Sequence, residues 1–396
     1  MQRFRAVVCV LSCLWSTVLG AARVSAQLDF GEVLSKRRPS ADEVEVERLL
    51  AEAQRISAGS RSFAAEGPTT SIAGGPRDGR DGSEGDLSLQ IEMPLQAARG
   101  ERRALGEMLP AAAAAARMFA RATADAELAE AFVAAWLADA VARVRAQDLA
   151  AVEAWLEASR RRMEAGADAP YEPTLVGGER DRALVEWIEA RREGELAWGE
   201  LRARAEVPPR PEPVALDALP GYATIPDGTA SSPGDVMRAG IEVRRNLAIA
   251  VARAQTALAG SRWGLAGEVA VEGDERLAHV GVAYRLPLRG ERTAIAAEQT
   301  AAETAANRDA ERRRVEVEAQ VAAAAATLGW AGQVLETSAL DAAQAALAAR
   351  LEEGKQRPSE ILPLRRQLLE ARIAALRSRA ARVAAEAKLF FLAGEK

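Results

Sequence analysis

Two short stretches of the chain alternate apolar and polar residues with a period of two. In the first, Leu87, Leu89, Ile91 and Met93 are separated by polar residues and the pattern ends at Pro94-Leu95. In the second, Val280, Val282, Tyr284, Leu286 and Leu288 alternate, and the pattern ends at Pro287-Leu288. Successive side chains of a strand point to opposite faces, so each stretch reads as a strand with two different faces. Each then gives way to a long segment rich in Ala, Glu and Arg, from about Ala98 to Ala165 and from about Glu291 to Glu353. These are strong helix formers, and at 1.5 Å per residue each segment would extend on the order of 100 Å, too long for an ordinary globular domain. Pro110 predicts a kink or a late helix start in the first of them.

Both long segments stop at matched turns. The first holds Arg162, Gly166 and Pro170, the second Arg350, Gly354 and Pro358, with identical spacing. Glycine suits the left-handed position after a helix end and proline the start of the next helix, so residues 162–170 and 350–358 read as the tips of helical hairpins. Return helices follow near 171–206 and 359–393. In the second, Leu369, Ile373, Leu376, Ala380, Val383, Ala387 and Phe390 are spaced alternately by four and three, which is a coiled-coil seam that needs a partner. The outgoing segment carries a looser version in Val133, Leu137, Val141 and Val144, and antiparallel pairing across the tip is the expected solution.

The chain therefore reads as a duplication: residues 27–206 form one repeat, 236–396 another, and 207–235, with seven prolines, a connector. A helix is expected from about Pro233 to Arg262, followed by a strand pair at 265–271 and 278–288 joined through Gly273-Asp274-Glu275-Arg276. The first repeat has the corresponding helix near Ala41 to Ala58. Its first strand is placed at 60–70, before a loop rich in Gly, Asp and Arg between Gly74 and Asp86.

The N-terminus adds a compartment. Arg3 and Arg5 lead into an apolar stretch from Ala6 to Leu19, and Val24-Ser25-Ala26 precedes Gln27, which reads as a signal peptide over residues 1–26. A lipoprotein signal ending at Cys13 is the alternative. Both cysteines, Cys9 and Cys13, lie in this leader, so the mature chain would hold no thiol and no cysteine-based metal site. Removing the leader takes away Arg3, Arg5 and Arg23 and no acid, which moves the formal net charge from −5 to −8 and makes nucleic acid a poor partner. No later stretch is apolar for long enough to be a spanning helix, so any membrane passage falls to strands. His279 is the single histidine, and no glycine-rich phosphate loop opens a helix, so neither a cofactor, a metal centre nor an enzymatic constellation is expected. Trp136, Trp155, Trp187, Trp198 and Trp330 fall in helical segments as packing residues, while Trp263 sits at a helix-to-strand junction where an interfacial aromatic is useful.

In this order the elements resemble the TolC-type outer-membrane efflux family, and most closely its smaller heavy-metal and multidrug members. The likeness is carried by the strand ends at Pro94 and Pro287, the tips Arg162 to Gly166 and Arg350 to Gly354, and the helix start Glu360-Ile361-Leu362, and it covers about Ala41 to Gly394. Pro173 after Glu172, the weak first hairpin and the scarcity of aromatics near the strands depart from the family pattern.

The resemblance implies a mostly α fold in which two tandem repeats build a long antiparallel helical tunnel. Each protomer would add four strands to a trimeric transmembrane β-barrel in the outer membrane of a Gram-negative bacterium. It further implies a passive channel working with a periplasmic adaptor and an inner-membrane pump. Arg162, Gly166, Pro170, Arg350, Gly354 and Pro358 would form the adaptor-docking tips, and Glu172 and Glu360 an acidic ring at the periplasmic gate. Simple helix termination also accounts for the tip residues, and the helix dipole for the two acids. A soluble periplasmic coiled-coil adaptor or scaffold is the competing class; such an adaptor would carry one helical hairpin and more β structure.

Overall fold

The computed structural model describes residues 29–58, 69–79, 82–94, 99–167, 169–208, 234–259, 262–272, 275–285, 289–331, 337–352 and 358–393. The expected signal peptide and residues 209–233 of the connector lie outside them. The elements run α1 (Phe30–Ser35), α2 (Ala41–Ala58), β1 (Thr69–Gly79), β2 (Gly82–Pro94), α3 (Arg99–Glu164), α4 (Glu172–Arg204), α5 (Asp235–Ala259), β3 (Arg262–Glu272), β4 (Glu275–Arg285), α6 (Arg289–Ala331), α7 (Thr337–Glu352) and α8 (Pro358–Ala393). Helix, two strands, a long outgoing segment and a return helix thus occur twice.

Three expectations need correction. The first strand is Thr69–Gly79, and β2 begins at Gly82, so the supposed loop between Gly74 and Asp86 is most of a β-hairpin. Its Gly, Asp and Arg content reads as loop by propensity, but eleven consecutive register pairs from Thr69↔Glu92 to Gly79↔Gly82 supply backbone pairing that propensity does not see. Pro76 is tolerated because β1 lies at the sheet edge. The strand β4 ends at Arg285, and Pro287-Leu288 fall outside the described residues. Finally, of the kink or late start expected at Pro110, the late start is excluded: α3 begins at Arg99 and passes through Pro110 over 66 residues. A proline inside a helix costs about 3 kcal/mol, and here Leu105, Leu109, Ala112 and Ala116, buried on both sides of it, offset that penalty.

The chain divides into two compact units, each drawing on both repeats: residues 1–38, 125–227 and 324–390, and residues 39–124, 228–323 and 391–396. The second unit holds the sheet, whose order is β1-β2-β3-β4, antiparallel throughout, with β2 and β3 joining the two repeats at its centre. Its helical core sets Val46, Leu50, Ala53 and Ile56 of α2 against Leu105, Leu109, Ala112 and Ala116 of α3 and Leu247, Val251 and Ala254 of α5. The start of α2 carries a reciprocal cap: the Ser40 hydroxyl accepts from Glu43 N–H at 3.2 Å, and the Glu43 carboxylate accepts from Ser40 N–H at 2.8 Å. Asp42 ties three helices together, accepting from Arg313 of α6 at 2.7 Å and lying 3.5 Å from Arg244 of α5. Burial pushes its carboxyl up, but the two guanidiniums outweigh this and hold it below the ordinary aspartate range.

In the first unit, the seam expected on α8 is present: Leu369 and Ile373 are buried with Val144 of α3, and Val141 and Leu376 pack against them. The partner is the outgoing helix of the other repeat, so the pairing crosses repeats and does not run across a tip. Phe30 of α1 meets Phe132 of α3 edge-on at 5.3 Å. The segment after α1 pairs with the end of α4, Arg38 N–H donating to Arg204 C=O at 2.7 Å and Glu206 N–H to Lys36 C=O at 2.9 Å. Trp136, Trp155 and Trp198 are buried as expected, whereas Trp330 is exposed.

At Gly240 of α5 the helices approach closely, since a Cβ there would stand 2.4 Å from Phe119 Cβ of α3. Gly240→Ala should therefore destabilise by ~1–3 kcal/mol, overpacking outweighing a helix-propensity gain of about 1 kcal/mol. Gly199→Ala on α4, where a Cβ meets nothing within 4 Å, should raise the thermal midpoint in detergent. The opposite signs of the two shifts check the packing.

Candidate functional site

The first tip is built as the sequence implies. Gly166 takes φ +75°, its N–H donates to Met163 C=O at 2.9 Å and Ala167 N–H donates to Arg162 C=O at 2.8 Å. This 5→2 and 6→1 pair closes α3 with a left-handed glycine in the first position beyond the cap. No atom lies within 4 Å of a Cβ built at Gly166, so the backbone conformation alone demands glycine. Arg162 lies in the last turn of α3, and Pro170 is exposed in the turn. The return helix begins at Glu172 with Pro173 in its first turn, where a missing N–H matters least, so Pro173 does not interrupt it.

The two tips are not equivalent in detail. Pro358 opens α8, whereas Pro170 precedes its helix. Arg350 lies in the last turn of α7, and Gly354 falls outside the described residues. Glu360, in the first turn of α8, is exposed, but Glu172 is only 1% exposed. The two acids expected to share one ring therefore occupy different environments.

Behind the first tip lies a charged cluster that sequence reading missed. Asp148 of α3 and Arg365 of α8, 1% and 5% exposed, form a bidentate pair, with Arg365 Nε donating to Asp148 Oδ1 at 2.7 Å. Glu179 of α4 lies 3.6 Å from Arg365 and binds Arg366. Arg145 of α3 bridges Glu186 of α4 at 2.7 Å and Glu370 of α8 at 2.9 Å, and the Arg365 guanidinium also lies over the Trp155 ring at 5.9 Å. Burial pushes the Asp148 carboxyl above its ordinary range, and Arg365 and Arg145 oppose that without cancelling it.

A signal for this cluster existed. Asp148 stands at helical spacing between the buried Val144 and Val152, and Arg365 between Ile361 and Leu369. A charge inside an apolar stripe on each of two helices is what a buried ion pair looks like in sequence.

The sheet is the second functional element. Ile72, Leu89, Ile91, Leu265, Val269, Val280, Val282 and Tyr284 are exposed, Val280 by 88%. Register places them on one face: Ile72↔Leu89, Leu89↔Val269 and Leu265↔Val282 are direct partners. The opposite face carries the cross-strand row Ser71, Gln90, Glu268 and His279, all exposed. The outer edges of β1 and β4 have no partner strand among the described residues. No described helix is long and apolar enough to cross a membrane, and no described group of three or more His, Cys, Asp or Glu could hold a metal ion.

Long helices, one pair turned at the glycine-capped Gly166 tip, together with a small four-stranded sheet make this the fold of the TolC-type outer-membrane channels. The chain is similar to the solved structure of CusC, described for folding and transmembrane channel formation, at 15% identity over 94% of this chain and 93% of that one, with TM-score 0.63. It is similar to the Campylobacter jejuni CmeC outer membrane channel at 12% identity, 91% and 84% coverage and TM-score 0.63. It is similar also to the open state of the Neisseria gonorrhoeae MtrE outer membrane channel at 15% identity, 91% and 87% coverage and TM-score 0.62. No family model and no curated protein matches the sequence.

Removing one member of the buried pair strands the other. Asp148→Ala or Arg365→Ala should each destabilise by about 3–5 kcal/mol, while the double variant Asp148→Leu/Arg365→Met should lie within roughly 1–2 kcal/mol of the parent. Thermal denaturation in detergent of all three variants reads the difference.

Proposed function

We propose that the chain is one protomer of an outer-membrane channel of a Gram-negative bacterium, the passive exit duct of a tripartite efflux system. The observation that carries this is the sheet: an apolar face open to its surroundings, a polar face behind it, and two edges with no partner strand among the described residues. In water, a contiguous exposed apolar face marks an interaction surface. In hydrocarbon the same face is satisfied, provided that the edges pair. Four strands cannot close on themselves, whereas β4 of one copy can pair antiparallel with β1 of the next. Three copies would give a twelve-stranded barrel with the polar face lining the bore.

The helical hairpins then belong to the periplasm, with the tips Arg162, Gly166, Pro170, Arg350, Gly354 and Pro358 offered to a periplasmic adaptor that connects the channel to an inner-membrane pump. Glu360, exposed in its first helical turn, is the better candidate for an acidic ring at the mouth. Glu172 is buried and acts through the packing of the tip. The Asp148–Arg365 pair, which fastens α8 to α3, holds these helices in one arrangement. Conduction of this kind makes and breaks no covalent bond, so no catalytic group is assigned. Residues 1–26 serve as the export signal, and the two repeats, 27–206 and 236–396, as equivalent contributions to the wall, joined by 207–235.

The competing assignment, a soluble periplasmic adaptor or scaffold, leaves the apolar face without a purpose. Expressed with its leader, the protein should fractionate with outer membranes, require detergent, run at the mass of a trimer and open discrete conductance steps in planar bilayers. Recovery from a periplasmic wash as a water-soluble monomer without conductance would overturn the channel and favour the scaffold.

A further inference from the structure

We propose that the polar face of the sheet carries a cation-selecting girdle centred on Glu268; this rests on the channel assignment above. Four residues form one continuous cross-strand row: Ser71 partners Gln90, Gln90 partners Glu268, and Glu268 partners His279. All four are exposed, and the row alternates with the apolar row Ile72, Leu89, Val269 and Ala278, which faces the other way. If the apolar face meets lipid, this row lines the bore, and symmetry sets the copies of Glu268 at one height. Glu268 is its acidic member, and a trimer repeats it three times around the lumen.

Carboxylates ringing a water-filled pore favour cations by direct attraction. The effect depends on how far their field reaches. The screening length is roughly 30 Å at 0.01 M salt and about 3 Å at 1 M, so a ring on the wall of a wide barrel governs the lumen only in dilute salt. His279 and Gln90, flanking Glu268 in the row, keep the wall polar and hydrated on both sides of the charge.

Reversal potentials in planar bilayers under a KCl gradient test this. At ~0.01 M salt the parent channel should favour K+ over Cl−, and the preference should vanish at 1 M. Glu268→Gln should lower the ratio towards unity, Glu268→Lys should invert it, and Ser71→Glu, in the same row, should raise it. Discrete channels whose K+/Cl− ratio is the same in the parent and all three variants would overturn the girdle while leaving the channel assignment standing. A parent protein that forms no conducting channel would overturn the channel assignment and the girdle with it.

Discussion

A strand placed in hydrocarbon must have every backbone N–H and C=O paired, because no water is present to satisfy them. This requirement is the constraint on which the rest of the molecule depends. Among the described residues the sheet ends in two edges without a partner strand, β1 and β4, and presents an apolar face that no described element covers. One copy cannot meet the requirement. Side-by-side closure by further copies can, and it orients everything else. In the proposed channel the apolar face would turn outward, the row containing Glu268 inward, and the helices that leave the open end of each hairpin away from the membrane.

The helical part is held by a different balance. The seam of Leu369 and Ile373 against Val144 joins the last helix to the outgoing helix of the other repeat, so the duplicated halves interlock rather than stand side by side. Apolar packing supplies the adhesion, but it specifies register weakly where alanine is abundant. The Asp148–Arg365 pair, with Glu179 and Arg145 around it, adds a geometry that permits only one alignment of α3, α4 and α8 behind the tip. A buried pair of this kind contributes little net stability, yet misalignment would leave a charge stranded.

Much of this was legible from residue patterns. Helix boundaries near 41–58, 99–164, 172–204 and 358–393 followed from periodicity and from Gly and Pro punctuation, and the glycine-capped tip at Gly166 is as its sequence implies. The strand β1 was not legible. Thr69–Gly79 holds two adjacent glycines, a proline and charged residues, and becomes a strand only through its ladder with β2, a long-range fact that local propensity does not contain. The outgoing segment named as the partner of the α8 seam, with Val141 and Val144, is the one it packs on, but it belongs to the other repeat, so the expected pairing across a tip does not occur. Nor did the chain advertise that Glu172 and Glu360, six residues beyond matched glycines, would differ so much in burial. Duplicated sequence does not guarantee duplicated environment once the halves interlock.

The central claim is that the two free edges of the sheet pair between copies. Its most direct measurement uses the absence of native cysteine after residue 26. Cysteines placed singly along β4, at Val280, Val282 and Tyr284, would be combined with one at Thr70 of β1, and oxidised in isolated outer membranes. At least one combination should give a disulfide-linked ladder ending at three chains, and the same cysteines present singly should give none. Ladders that never form, with every combination remaining monomeric while the protein stays folded, would contradict the account.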